Sequence, residues 1–400
     1  MTFTFNLKMF DQIPTEIIMK ILQELENDAL LNISLVNRKL FGLSTDPSLW
    51  QEFNILYGSG DDLIKSLKIK RFKKIRNIKI SNDYLEKEFT EKELNTVFKL
   101  LSKMNIENIT FSNINMQTLN TKLLIKTLKK TKWISIEEEA HFHNSQILKI
   151  LQNIPKSSIS TFQAKFVDFT HINATDLSKI VNKLSKFSTH NCDFSGEQVK
   201  MIFQQMSKET KLDYCGMNFP NYKKLLENVP ASTFSSAVNN VHTFFVQNGG
   251  ISNYQIMTLF EKMAFKSNLQ NLYITFSDNI PIQIPVITGS ILSKAINRLQ
   301  LLEAPNISFT NSQLKAILER ASDKNSKIRY LNVGYITFPL LELRCSKILL
   351  SKLEKNDFRH QIETKMLEVE LKMKQTMKRK LEQNEALESF VTPKNKRPRL

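Results

Sequence analysis

Residues 269–276 read LQNLYITF, and residues 327–334 read KIRYLNVG. The triplets Leu272-Tyr273-Ile274 and Leu331-Asn332-Val333 alternate with the two-residue period of a strand. Comparable runs cover 106–114, 162–169, 211–217, 299–307 and 328–336. Between the runs lie stretches with helical spacing: EKELNTVFKLL from Glu91, NTKLLIKTL from Asn120, NSQILKIL from Asn144, NATDLSKIV from Asn173, SGEQVKMIF from Ser195, PNYKKLLENV from Pro220, SNYQIMTLF from Ser252, GSILSKAI from Gly289 and NSQLKAIL from Asn311. Most open on Asn, Ser or Pro, residues that suit a helix N-terminus. Each then places apolar residues at i, i+3 and i+4, as Val199, Ile202 and Phe203 do. The helix-to-helix step of about 22–36 residues is the mark of stacked strand–helix repeats.

In this period and in the fragments at 269–276 and 327–334, the middle of the chain resembles a leucine-rich-repeat array. The leucine positions are often Phe or Ile. The signature Asn is present at Asn115, Asn191, Asn218 and Asn306 only. The resemblance implies a strand on the concave face and a helix outside in each repeat; the competing reading is an all-helical solenoid. In either, a repeat buries its apolar face only against its neighbours, and the product is a long curved surface suited to holding a protein.

Residues 10–50 read FDQIPTEIIMKILQELENDALLNISLVNRKLFGLSTDPSLW. Pro14 suits a first helical turn, and Ile17, Ile18, Ile21, Leu22 and Leu25 recur at helical spacing. Asp28 suits the N-cap of a second helix carrying Leu30, Leu31, Ile33, Leu35 and Val36. Gly42 or the segment 44–47 breaks that pattern, and Leu49-Trp50 closes it. About 40 residues hold more apolar faces than so short a unit buries alone, and surplus apolar surface marks a partner site. The order Ile13-Pro14-Thr15-Glu16-Ile17-Ile18, Ile21-Leu22, Leu30-Leu31, Leu35-Val36-Asn37-Arg38, Leu49-Trp50 resembles the F-box. Phe10 stands where many F-boxes have Leu, a swap that keeps an apolar contact. The resemblance implies a three-helix module docking on the small adaptor subunit of a cullin–RING ubiquitin ligase and, through it, on the cullin. Its core and docking face would be Ile13, Pro14, Ile17, Ile18, Ile21, Leu22, Leu30, Leu31, Leu35, Val36 and Trp50.

Cys192, Cys215 and Cys345 are the cysteines of 400 residues, which is no disulfide framework and favours a reducing compartment. The first twelve residues lack the apolar core of a secretory signal, and no run approaches the ~20 apolar residues that span a bilayer. The net charge of +17 gathers in two clusters, 65–79 and the C-terminal tail. In the first, Ile64, Leu67, Phe72 and Ile75 are spaced for one face of a linker helix, with the lysines and arginines on its wet face. The sharper reading is a patch for phosphate or for an acidic protein surface.

Motifs for chemistry are sparse. Gly249-Gly250 reads as a turn rather than a phosphate loop. His141 and His143 flank Phe142, and His190 and Cys192 flank Asn191, but no second pair at metal-ligand spacing accompanies them. The cysteines are too few for a RING. Beside repeat strands they read as buried small hydrophobes rather than activated thiols. Trp133 reads as core packing. No catalytic residue, metal or cofactor is expected.

Residues 347–390 hold no Gly or Pro and are rich in helix formers; Leu349, Leu353, Ile362, Met366, Val369, Met373 and Met377 make a partial seam. Thr392-Pro393 breaks the pattern, and Lys394, Lys396, Arg397 and Arg399 form a basic end that reads as a nuclear import signal or nucleic-acid contact. The expected organisation is an α/β solenoid with an F-box at 8–55, a basic linker helix at 56–80, leucine-rich-repeat-like units at 81–345, a C-terminal helix or weak coiled coil at 346–390 and a disordered basic tail at 391–400. The expected function is that of a substrate receptor of an SCF-type (cullin–RING) ubiquitin ligase in nucleus or cytoplasm, holding a protein substrate on the array. The alternative is a basic nuclear scaffold that binds nucleic acid or protein without a role in ubiquitin transfer.

Overall fold

Strand-forming runs spaced one repeat apart can pair only in parallel, because each is followed by a crossover helix. The computed structural model of the chain shows this pairing. It describes residues 13–339 apart from positions 26, 34, 35, 37, 51, 55–59, 69–74, 83–87, 221–223, 276–281, 284–286, 322–325 and 334–335. One sheet runs through the described residues in chain order: β1 (Glu52–Asn54), β2 (Asn77–Ser81), β3 (Asn108–Ser112), β5 (Trp133–Ile136), β7 (Thr161–Lys165), β8 (Lys186–His190), β9 (Tyr214–Asn218), β10 (Thr243–Gln247), β11 (Asn271–Thr275), β13 (Leu301–Ala304) and β15 (Tyr330–Val333), all parallel, with β16 (Ile336–Pro339) antiparallel at its end. Two short pairs, β4 (Ile114–Asn115) with β6 (Ala140–His141) and β12 (Ile282–Gln283) with β14 (Ile307–Ser308), lie outside it. Asn77, Asn108, Trp133, Thr161, Lys186, Tyr214, Thr243, Asn271, Leu301 and Tyr330 share one register position, so the step runs from 25 residues (Asn108 to Trp133) to 31 (Asn77 to Asn108). An open sheet whose strands keep chain order, each step crossing through a helix or turn, is a leucine-rich-repeat-like α/β solenoid. The all-helical alternative falls.

Alternate strand positions point inward. The row Ile78, Ile109, Ile134, Phe162, Phe187, Cys215, Phe244, Leu272, Leu302 and Leu331 is buried throughout, and register partners Phe162 and Phe187 stack at 6.4 Å. Each such side chain contributes about 1.5–3 kcal/mol by leaving water, but only when a neighbouring repeat covers it.

The helices number α1 (Thr15–Gln23), α2 (Asn27–Ile33), α3 (Arg38–Ser44), α4 (Gly60–Lys68), α5 (Glu91–Leu101), α6 (Thr121–Leu128), α7 (Asn144–Asn153), α8 (Ala174–Val181), α9 (Gly196–Lys208), α10 (Ala231–Asn239), α11 (Asn253–Phe265), α12 (Gly289–Ile296) and α13 (Asn311–Ala321). From α6 onward, shorter and longer helices alternate. Each longer one, α7, α9, α11 and α13, carries a buried glutamine in its first turn: Gln146, Gln198, Gln255 and Gln313. Gln198 Oε1 accepts from the Ser195 N–H at 2.8 Å, while its Nε2 donates to the carbonyls of Phe169 and Ile172, each at 2.6 Å. Gln255 does the same with Ser252, Leu226 and Val229, and Gln146 with His143, Met116 and Leu119. Gln313 accepts from Thr310 and donates to Ile287. One amide therefore caps its own helix and ties off carbonyls of the preceding repeat. Glu93 stands at the equivalent place in α5 and keeps only the capping half, accepting from the Thr90 N–H; a carboxylate has no donor to offer.

Several expectations need correction. The second N-terminal helix starts at Asn27 rather than after an Asp28 cap, and ends at Ile33. Gly42 does not break it: Arg38–Ser44 is a third helix running through Gly42. The sheet takes in β1 and β2, so it begins before residue 81. Among the described residues the basic linker helix is Gly60–Lys68, and Ile75 is buried just ahead of β2. The helix expected from Pro220 is a one-turn 3-10 segment, Leu225–Asn228. The repeat's α-helix begins at Ala231 on Pro230, because a residue before proline is pushed to extended backbone, as Val229 is. Gly250 is fixed by its place: its φ is +66°, and a Cβ there would sit 2.5 Å from the Lys224 Cα. The seam at 347–390, Cys345 and the basic residues Lys394, Lys396, Arg397 and Arg399 lie outside the described residues.

Replacing Gln198 with Leu takes the side-chain partner from the Ile172 carbonyl and the Ser195 N–H, and leaves the Phe169 carbonyl with only the Ile172 N–H. We expect a loss of about 2–4 kcal/mol in urea unfolding, against under ~0.5 kcal/mol for Lys208→Ala on the exposed end of the same helix.

Candidate functional site

Two surfaces stand out. The first is in the N-terminal segment. Pro14 is the N-cap of α1, its carbonyl accepting from the Ile17 and Ile18 N–H groups at 3.1 Å. Along α1 the apolar residues form two adjacent i, i+4 rows. Ile18 and Leu22 turn inward, and with Leu30, Leu40 and Trp50 they are buried. Trp50 Nε1 donates to the Ser44 carbonyl at 2.6 Å, which pins the segment's end under α3. Ile17 and Ile21 face outward at 50% and 47% exposure, joined by Val36 at 45% and Phe41 at 53%. Half of the exposed large hydrophobics among the described residues fall in this stretch.

The eleven sequence-derived residues thus divide. Ile18, Leu22, Leu30 and Trp50 form the core; Pro14, Ile17, Ile21 and Val36 lie on the surface, and Ile13 is half-buried. Leu35 and the side chain of Leu31 lie outside the described residues. Phe41 was not foreseen, because reading Gly42 as a break hid the helix on which Leu40 turns in and Phe41 turns out.

The second surface is the concave face of the sheet. Trp133 belongs here, not in the core: it heads β5 and is 41% exposed. At β9–β11 the outward positions carry Tyr214, Phe245 and Tyr273, the last two with ring centroids 6.1 Å apart. Lys186 Nζ lies over the Tyr214 ring, 4.7 Å from its centroid, a cation–π arrangement. Gly216 shares a register position with Ser188 and Phe245. In the next row Asn218 Nδ2 sits 2.8 Å from His190 Nδ1 and donates to Gln247 Oε1 at 2.9 Å. Residues just past the strands take left-handed backbone: Asn113, Glu139, Phe166, Asn191 and Asn248. The signature Asn191 is among them. Asn218 and Asn306 are instead buried.

The remaining candidates do not assemble into chemistry. His190 faces the concave row while Cys192 is buried, and His141 and His143 are exposed. Among the described residues no cluster of three or more His, Cys, Asp or Glu is suited to a metal ion, and no helix is long and apolar enough to cross a membrane. Burial pushes the thiols of Cys192 and Cys215 up to about 12. On the outer face, Lys122, Lys126, Lys129 and Lys149 surround a groove of about 640 Å³ beside Ile125.

Residues 10–56 match the F-box-like family. No curated protein matches the sequence. Among solved structures, the leucine-rich repeat-containing protein LegL7 from Legionella pneumophila is similar at 10% identity and a TM-score of 0.34, over 76% of this chain and 87% of that one.

With thiols held neutral at pH 8, Cys192 and Cys215 are expected to resist iodoacetamide in the folded chain and to label only in denaturant, read peptide by peptide by mass spectrometry.

Proposed function

We propose that this chain, which joins an F-box-like segment to a leucine-rich-repeat-like solenoid, is the substrate-recognition subunit of an SCF-type (cullin–RING) ubiquitin ligase. The observation that carries this reading is the exposure of Ile17, Ile21, Val36 and Phe41 on a segment whose Ile18, Leu22, Leu30, Leu40 and Trp50 are buried. Four exposed apolar side chains on so short a segment gain nothing where they stand; an adaptor groove gives them a place to bury. In this reading the array holds a protein substrate, and no residue of the chain is chemically reactive. Its contribution is positional: it raises the substrate's local concentration beside a charged conjugating enzyme. The basic end, Lys394 to Arg399, then acts as a nuclear import signal.

The lysine-lined outer groove supports a second reading, a scaffold that binds nucleic acid. Salt separates the two. Nucleic-acid binding falls steeply between 50 and 200 mM salt, whereas docking through an apolar stripe changes little.

Ile17→Asp and Ile21→Asp are expected to cut adaptor pull-down about 100-fold or more while leaving the circular-dichroism melt unchanged. Ile18→Asp, which puts a charge into the core, is expected to lower the melt as well. Undiminished pull-down by the first two variants rules out the receptor reading.

A further inference from the structure

On the outer face, α6 and α7 pack less closely than the helix pairs from α8 onward, and the gap between them is the groove of about 640 Å³. Along α6 and its C-cap, Lys122, Lys126 and Lys129 recur at i, i+4 and i+7, with the half-buried Ile125 beside them. Three ammonium groups therefore line one wall over about 10 Å. Lys149 stands on the other wall, on α7, where its Nζ donates to Gln152 Oε1 at 3.3 Å. No carboxylate lines the groove. None of the four lysines is in an ion pair among the described residues. Four like charges around one groove repel one another, and an occupant bearing carboxylates relieves that repulsion.

Charge and reach select the occupant. The neighbouring helices carry carboxylates in their first turns, Glu91 on α5 and Asp176 on α8. A long polyanion laid across the array would pass from the lysines to like charge on both sides. A short acidic segment avoids this, and the chain holds one. Residues 381–390 read LEQNEALESF, and no Lys or Arg occurs from 381 to 393. On the helix expected there from the sequence, Leu381, Glu385 and Glu388 fall at i, i+4 and i+7 with Glu382 beside them, which matches the spacing of the lysine row. Ten helical residues measure about 15 Å, so the basic runs at 378–380 and 394–399 extend past the ends of that row. The chain also leaves the sheet on the right side. Antiparallel β16 ends at Pro339 opposite Tyr330, at the end of the sheet where strands begin and helices finish. Lys126 and Lys129 stand at that end of α6. Six helix spacings of about 8–10 Å separate α13 from α7. Residues 340–380 cover about 60 Å when wholly helical, and more where extended.

We propose that the acidic segment 381–390 docks within its own chain in the α6–α7 groove, with Glu382, Glu385 and Glu388 facing the four lysines and Leu381 packed on Ile125. Such a contact is weakened by salt. Its effective concentration is set by the linker 340–380 and not by the concentration of protein. The docked segment covers the charge of the groove, so a polyanion enters only after the segment leaves. The proposal is independent of the receptor reading, since it uses neither the N-terminal segment nor the concave face.

The test is zero-length cross-linking of the full chain with a water-soluble carbodiimide, which joins a carboxylate to an amine in contact with it, followed by peptide mapping in the mass spectrometer. The expected result is links from Glu382, Glu385 or Glu388 to the groove lysines in the monomer band, at a yield that tenfold dilution leaves unchanged. Lys126→Glu together with Lys129→Glu should lower the remaining links, at Lys122 and Lys149, at least tenfold. Adding Glu385→Lys and Glu388→Lys to that variant should restore the links from Glu382. Both lysines are exposed, and the rescue by opposite charge keeps the test decisive even where the double exchange lowers the melt. No link between segment and groove, or links that the double exchange leaves undiminished, overturns the proposal. Links confined to a dimer band place the segment of a second copy in the groove and overturn docking within one chain.

Discussion

A glutamine amide buried between neighbouring repeats is the interaction on which the solenoid depends. A parallel sheet satisfies its own strands, but the turns leading into the helices leave carbonyls turned inward where water does not reach. Gln146, Gln198 and Gln255 each supply two donors to those carbonyls and an acceptor to a helix N-cap. Because the partners lie in the preceding repeat, a repeat is complete only when its neighbour is in place. The glutamines recur at 146, 198, 255 and 313, every second repeat, so the structural unit is a pair of repeats.

The N-terminal segment shows the opposite arrangement. Its helices close a small core around Trp50 and leave a second apolar row uncovered. A helix that is apolar on two adjacent faces needs two partners. The chain provides one for Ile18 and Leu22 and none, among the described residues, for Ile17 and Ile21.

The positive charge divides in a similar way. Lys99, Lys126, Lys179, Lys208, Lys262, Lys294 and Arg320 fall in the last turns of their helices, where cations interact favourably with the helix dipole. Part of the basic balance is thus a local stabilising device repeated along the array rather than a footprint for a polyanion. Lys186, on the concave face and over an aromatic ring, is placed differently.

Much of this was legible from residue order alone. The alternation at 269–276, the capping residues Ser195 and Ser252, and the one-repeat spacing determine a strand–helix array, because strand period and cap chemistry are local properties of the chain. The greasy surplus at 13–50 likewise determines that the segment seeks burial. Polar strands such as Lys186–His190 escaped notice, since nothing in KFSTH marks a strand until its neighbours pair with it. The glutamines were in plain view within NSQILKIL and SGEQVKMIF, yet their role depends on carbonyls some 26 to 30 residues earlier. Only the tertiary structure decided that Ile18 turns inward and Ile17 outward, that Trp133 is 41% exposed, and that the Tyr214 ring lies on Gly216 beside the Phe245 strand. These are consequences of register between repeats, and register is set by packing across the array rather than by any one stretch of it.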